Sequence, residues 1–273
     1  MGKALVLGGG GLTGIGWEWG ILSGLAAHGV DLTDADLVIG TSAGSVVGAQ
    51  VATGVDLEER FASQLAAPIG DPRDPPARMG RADLARSAWA VLSTREPDRL
   101  GARLGRLALA SRTPHRSTIR AHLPVREWPV TPLLITAVDA ASGELTVFDR
   151  DHGVSLLDAV GASCAVPGVY PPVAVDGRSY IDGGVRSATN ADLARGHERV
   201  VIIAPIAAGF GAIRPVASQA EALRETGSRV LVISPPTRFG RSLDPTRRAP
   251  AARAGRAQAA ALAESAAVVW SAP

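Results

Sequence analysis

The chain has 273 residues, enough to bury a sizeable core in one large domain or two small ones. Hydrophobic residues make up 46% and charged residues 20%, an ordinary soluble balance, and the formal net charge is only +2 although the pI is about 9.2. Cys164 is the sole cysteine, which excludes an intrachain disulfide and a cysteine-rich metal site. In chain order, the run KALVLG from Lys3 to Gly8 predicts a buried strand, followed by a glycine turn at Gly9 to Gly11. Ile15, Trp19, Leu22 and Leu25 then recur at helical spacing, and the pattern stops at Gly29. DLVIG predicts a second strand and SAGSVVGAQVATG a second helix. Strand, helix, strand, helix at this spacing argues for a parallel sheet covered by helices.

Residues 68–127 break that pattern. A Pro/Gly loop, PIGDPRDPPARMG, leads into short Arg-dense helical stretches, so this region reads as an inserted helical cap within one domain spanning 1–273. Sheet patterning resumes with PLLITAVDAASGELTVFD, two strands around a Ser142-Gly143 turn. SLLDAVGASCAV predicts a helix, and VAVDGRSYIDGGV a hairpin turning at Asp176-Gly177. RVVIIAPI and SRVLVIS are further buried strands with a helix between them, and an Ala-rich helix runs from about Ala251 to Trp270. The expected architecture is a three-layer α/β/α fold with a mostly parallel central sheet and an inserted cap.

Three glycine-framed stretches carry candidate chemistry. The first, GGGGLTG, places Gly9, Gly11 and Gly14 in a G-x-G-x-x-G between a strand and a helix. A dinucleotide site there would expect an acid at the end of the second strand, yet that strand ends in Gly40-Thr41-Ser42. A structural turn or an anion site at a helix N-terminus remains. The second, GTSAG, puts Ser42 between Gly40 and Gly44 at a strand-to-helix junction, the context of a nucleophile elbow; the alternative is a tight turn. The third, YIDGGV, ends a strand in Asp182, with Gly183 and Gly184 leaving room beside the carboxylate; the alternative is Asp as a turn cap.

Taken together, GGGGLTG, GTSAG and DGG, in this order and with GASCAVPGVYPPV before the last, make the chain resemble the patatin-like phospholipase family over most of residues 3–206. The resemblance implies a serine acyl hydrolase acting on a lipid or ester, with Ser42 as nucleophile and Asp182 as its base. Backbone N–H groups of Gly9, Gly10 and Gly11, helped by Ala43, would form the oxyanion hole. It implies no cofactor, no metal and no nucleic-acid partner. Thr13 departs from the family, many members of which carry Arg or Lys there.

A Ser-Asp-His hydrolase would need a histidine after Asp182, and only His197, among polar neighbours, follows it. His28, His115, His122 and His152 lie earlier, in polar or cap segments. In EPDRLGARLGRLALA, Leu100, Leu104 and Leu107 share one helical face and Arg99, Arg103 and Arg106 the adjoining one. That fits either an interfacial helix or a cap helix packed on the core with a solvated Arg face. No apolar run is long enough to span a bilayer, and the first residues fit neither a signal peptide nor a myristoylation pattern. The expected location is cytoplasmic, with peripheral membrane contact left open. The rival functions are a catalytically silent lipid-binding or regulatory member of the same fold, and a dinucleotide-binding protein.

Overall fold

A computed structural model describes residues 2–66, 79–111, 113, 123–237, 239 and 242–271. Much of the expected cap loop (68–78), and with it His115 and His122, lies outside the described residues. Eight strands form one sheet among the described residues: β1 (Lys3–Leu7), β2 (Leu37–Thr41), β3 (Leu133–Asp139), β4 (Leu145–Phe148), β5 (Val173–Val175), β6 (Arg178–Asp182), β7 (Arg199–Ile203) and β8 (Arg229–Ile233). Their order is β5-β6-β3-β2-β1-β7-β8, with β4 also paired to β3. The five strands from β3 to β8 along that path are parallel, while β4, β5 and β6 pair antiparallel.

The apolar runs are buried on both faces, as parallel strands must be when helices cover each side. Leu5, Leu7, Val38, Val201 and Ile203 point into one core. Ala4, Val6, Ile39, Val200 and Ile202, one residue out of phase, point into the other. Helices α1 (Gly11–Ala27), α2 (Ala43–Val51), α3 (Leu57–Leu65), α6 (Leu156–Ser163) and α8 (Arg248–Trp270) accompany the first core. Helix α7 (Val216–Glu225) contributes Val216, Ala220 and Leu223 to the second.

One element was not expected from the sequence, and one open reading is decided by packing. Helix α3 was not anticipated, although Asp56 caps it by accepting from the Glu59 N–H at 2.7 Å. The Arg-dense segment contains α4 (Arg81–Leu92) and α5 (Pro97–Ala110). Its Leu100 and Leu104 are buried with Val138 and Ile181 of β3 and β6, so the leucine face packs on the sheet. Of the two readings of that stripe, core packing holds. Helix α4 lies on α5 and stands between the sheet layer and solvent.

Candidate active site

Register brings the second and third glycine motifs together. Strand β3 lies between β2 and β6. Thr41 pairs with Thr136, and Asp182 with Ala137, the next residue along. Ser42 leaves β2 and Asp182 ends β6 at one level, on either side of β3, across two strand spacings of roughly 4.8 Å each.

Ser42 caps α2 with φ 52 and ψ −118, a left-sided conformation that costs a non-glycine residue about 1–3 kcal/mol. The surroundings hold it there. Its N–H donates to Ser163 Oγ at 2.9 Å, and its carbonyl accepts from Ser45 Oγ at 2.6 Å, from the Ser45 N–H at 2.9 Å and from Cys164 Sγ at 3.3 Å. The flanking glycines are required by close approach. A Cβ on Gly44 would stand 2.1 Å from the Leu7 carbonyl oxygen, and one on Gly40 2.6 Å from Ser45 Cα. GTSAG therefore forms a tight, strained strand-to-helix turn with Ser42 at its apex.

Asp182 is buried. Its Oδ1 accepts from the Gly184 N–H at 2.7 Å, and its backbone N–H donates to the Ala165 carbonyl at 3.0 Å. Oδ2 completes no hydrogen bond. Burial pushes the carboxyl up to about 6, offset in part by the neighbouring Ser42 hydroxyl and by the Gly184 N–H. The Ser42 side chain is thus close enough to act on the carboxylate without forming a hydrogen bond of ordinary geometry. Cys164 also borders this space. Burial, and then the charge of Asp182, push its thiol up to about 12, which keeps it from serving as a thiolate nucleophile.

Both groups open onto a cavity of about 430 Å³. Its walls are largely apolar, with Leu12, Val46, Val91, Val166 and Ile213 among them, and no Lys, Arg or His lines it among the described residues. Gly9, Gly10, Gly11 and Ala43 border it as well. One expected oxyanion donor is corrected here. The Gly9 N–H is committed to the Ala188 carbonyl at 2.7 Å, so it secures the loop instead of facing a ligand. Gly10, Gly11 and Ala43, just before or at the first positions of α1 and α2, donate to no backbone acceptor among the described residues. Gly14 donates to the Gly10 carbonyl at 2.9 Å and closes the first turn of α1. Thr13 is buried, and both its N–H and its Oγ1 donate to the Ser242 carbonyl at 3.0 Å. The position thus fastens the loop to the segment leading into α8.

A family model described as patatin-like phospholipase matches residues 5–195, more than half of the chain. The chain belongs to the patatin-like phospholipase family. Membership supports lipid hydrolysis as the activity and lipids as the substrate class. Among solved structures, the chain is similar to VipD from Legionella pneumophila at 16% identity and TM-score 0.50, covering 97% of this chain and 67% of that one. It also matches the type III effector protein ExoU at 16% identity and TM-score 0.42, covering 97% of this chain and 53% of that one. At such identity the VipD likeness speaks for the fold alone.

Seen against the patatin-like motifs, two buried residues escaped the sequence reading. Asn190, fully buried with φ 47, donates through Nδ2 to Thr41 Oγ1 (3.0 Å), Thr136 Oγ1 (3.1 Å), the Gly183 carbonyl (3.3 Å) and the Ser187 carbonyl (3.0 Å). It thereby ties the residue before Ser42 to the residue after Asp182. The only local signal was its place eight residues after Asp182. Glu18, in α1, is fully buried and its oxygens complete no hydrogen bond. Burial, offset in part by the Gly8 backbone, holds its carboxyl well above the usual range. The described histidines are elsewhere. His28 Nδ1 is 2.8 Å from the Gly24 carbonyl, His152 pairs with Asp149, and His197 lies just before β7, at the strand ends opposite Ser42.

Proposed function

We propose that this chain is a serine acyl hydrolase of lipid esters that works through a Ser42–Asp182 dyad. The observation that carries the proposal is a serine held in a strained elbow beside a buried aspartate whose Oδ2 completes no hydrogen bond of ordinary geometry, both at the wall of an apolar cavity. The acyl chain occupies the cavity. Ser42 Oγ attacks the ester carbonyl while Asp182 takes its proton, then returns it to the leaving alcohol. Water, activated by Asp182, releases the acid and restores Ser42. The developing oxyanion meets the N–H groups of Gly10, Gly11 and Ala43, each such donor being worth about 2.7–4 kcal/mol in comparable acyl transfer. Gly183 and Gly184 keep the backbone slim beside the carboxylate.

The direct test is labelling of purified protein by a fluorophosphonate, which reacts only with an activated serine. Labelling is expected in the wild type. Its absence would favour the catalytically silent lipid-binding alternative. His197→Ala is expected to label normally and to hold kcat/KM on a short-chain p-nitrophenyl ester within a few-fold, since His197 sits at the far end of the sheet. Loss of turnover in a folded His197→Ala protein would point to a triad.

Asn190→Ala should act differently. It removes four acceptors' shared donor at zero exposure, so stability should fall by about 1–3 kcal/mol. Because Asn190 links the Thr41 hydroxyl, beside Ser42, to the Gly183 carbonyl, beside Asp182, kcat should drop about tenfold or more while KM changes less. Thermal melts and steady-state kinetics on the soluble ester check both. A destabilised variant with wild-type kcat would confine Asn190 to folding.

A further inference from the structure

Leu84, Ala85, Ala88, Trp89, Val91 and Leu92 make one continuous apolar face on α4 at helical spacing. Part of this face is used. Val91 and its neighbour Ser87 line the cavity. Among the described residues the rest is bare, with Leu84 59% exposed, Trp89 67% and Leu92 75%. Phe210, 61% exposed, also lines the cavity, and its loop reaches α4, where a Cβ on Gly211 would meet Val91 at 2.8 Å. The exposed apolar surface is therefore continuous with the cavity rim. The segment that carries it has a positive surplus. Residues 81–110 hold six Arg and three acids, and two of those acids, Asp83 and Glu96, pair with Arg86 and Arg99. Arg103 lies over the Trp89 ring, 5.7 Å from its centroid, and bonds Ser93 Oγ.

We infer that α4, with the 206–213 loop beside it, is the surface by which this protein seats on an anionic lipid bilayer, bringing the cavity mouth to the lipid. The occupant follows from two features together. Large apolar side chains with an aromatic at the edge suit the headgroup–acyl boundary, and the surplus arginines suit anionic headgroups. Helix α5 takes part through its arginines and the exposed Leu109, because its Leu100 and Leu104 are buried. The use made of the surface rests on the acyl-hydrolase reading; its existence does not.

Trp89 makes the test direct. Trp17, Trp19 and Trp270 are buried and Trp128 is half-buried, so Trp89 is the exposed tryptophan. In a Ser42→Ala background, to prevent turnover, tryptophan emission should shift to the blue on adding equimolar phosphatidylglycerol/phosphatidylcholine vesicles. The shift should be much smaller with phosphatidylcholine alone and should fade with added salt. Trp89→Phe should abolish the shift while the protein still co-sediments with vesicles. Leu84→Ser, Trp89→Ser and Leu92→Ser together should lower vesicle partitioning more than about tenfold, leaving soluble-ester turnover of the Ser42-containing protein within about twofold. Absence of vesicle binding in the wild type, equal binding by the triple variant, or equal binding to neutral and anionic vesicles would overturn the inference. So would a dimer whose Trp89 emission is already blue-shifted without lipid, since a second copy would then cover the face. A wild type that binds vesicles but neither labels with fluorophosphonate nor cleaves ester would leave this surface standing and sink the catalytic reading.

Discussion

Ser42→Ala is expected to eliminate fluorophosphonate labelling and to cut ester hydrolysis by roughly 10³-fold or more, because the covalent route is lost with the hydroxyl. The fold should survive. The backbone of residue 42 is held by Ser163, Ser45 and Cys164 through its own N–H and carbonyl, none of which the substitution touches. The hydroxyl makes no well-formed bond whose loss would strand a buried partner. Melting temperature should therefore stay close to the wild type while activity disappears, a separation visible in a thermal melt beside a p-nitrophenyl ester assay. Full hydrolysis by a clean Ser42→Ala preparation would remove Ser42 from the chemistry.

Asp182→Asn is expected to move activity and stability in opposite directions. Loss of the base should lower kcat/KM by roughly 10²–10⁴-fold. In the wild type, kcat/KM should fall as pH drops through about 6, where Asp182 takes up a proton and its base function ends. The sign for stability follows from the same displacement. Burial raises the folded-state pKa above that of an unfolded aspartate, about 3.9, so the protonated form is the one folding favours. The contribution is fully present below about 3.9 and is lost as pH rises through about 6. Above that, the ionised group stands against folding by about 3 kcal/mol, at 1.36 kcal/mol per pKa unit. Asp182→Asn removes that burden, so it should melt higher than the wild type at pH 8, with the advantage shrinking towards pH 4. Paired melts at the two pH values check this. An equal loss of stability at both would mean that the carboxylate is not held against its preference, and unaltered turnover would exclude it as the base.

The features legible in the sequence were those written in local pattern. Continuous apolar runs located β1, β2, β7 and β8, because a strand covered on both faces needs no polar alternation. Asp176-Gly177 located the hairpin turn, where φ is 48 and 77 at the two residues. Gly40 and Gly44 marked the elbow because only a residue without Cβ fits against Leu7 and Ser45. The decisions that needed the tertiary structure are those in which a residue's role depends on a partner far along the chain. Strand β3 sets the level at which Ser42 and Asp182 meet, 140 residues apart in sequence. The Gly9 N–H could not be known to be spent until Ala188 came beside it. The α5 leucines showed that one face would be buried, but periodicity does not say against what; Val138 and Ile181 of the sheet took it, and the bare apolar face fell to α4 instead. Asn190 and Ser163 look like ordinary polar residues in the sequence. Folding removes them from water, and a buried polar group must find its partners; the partners they found are the backbone and side chains that hold Ser42 and Asp182 in place.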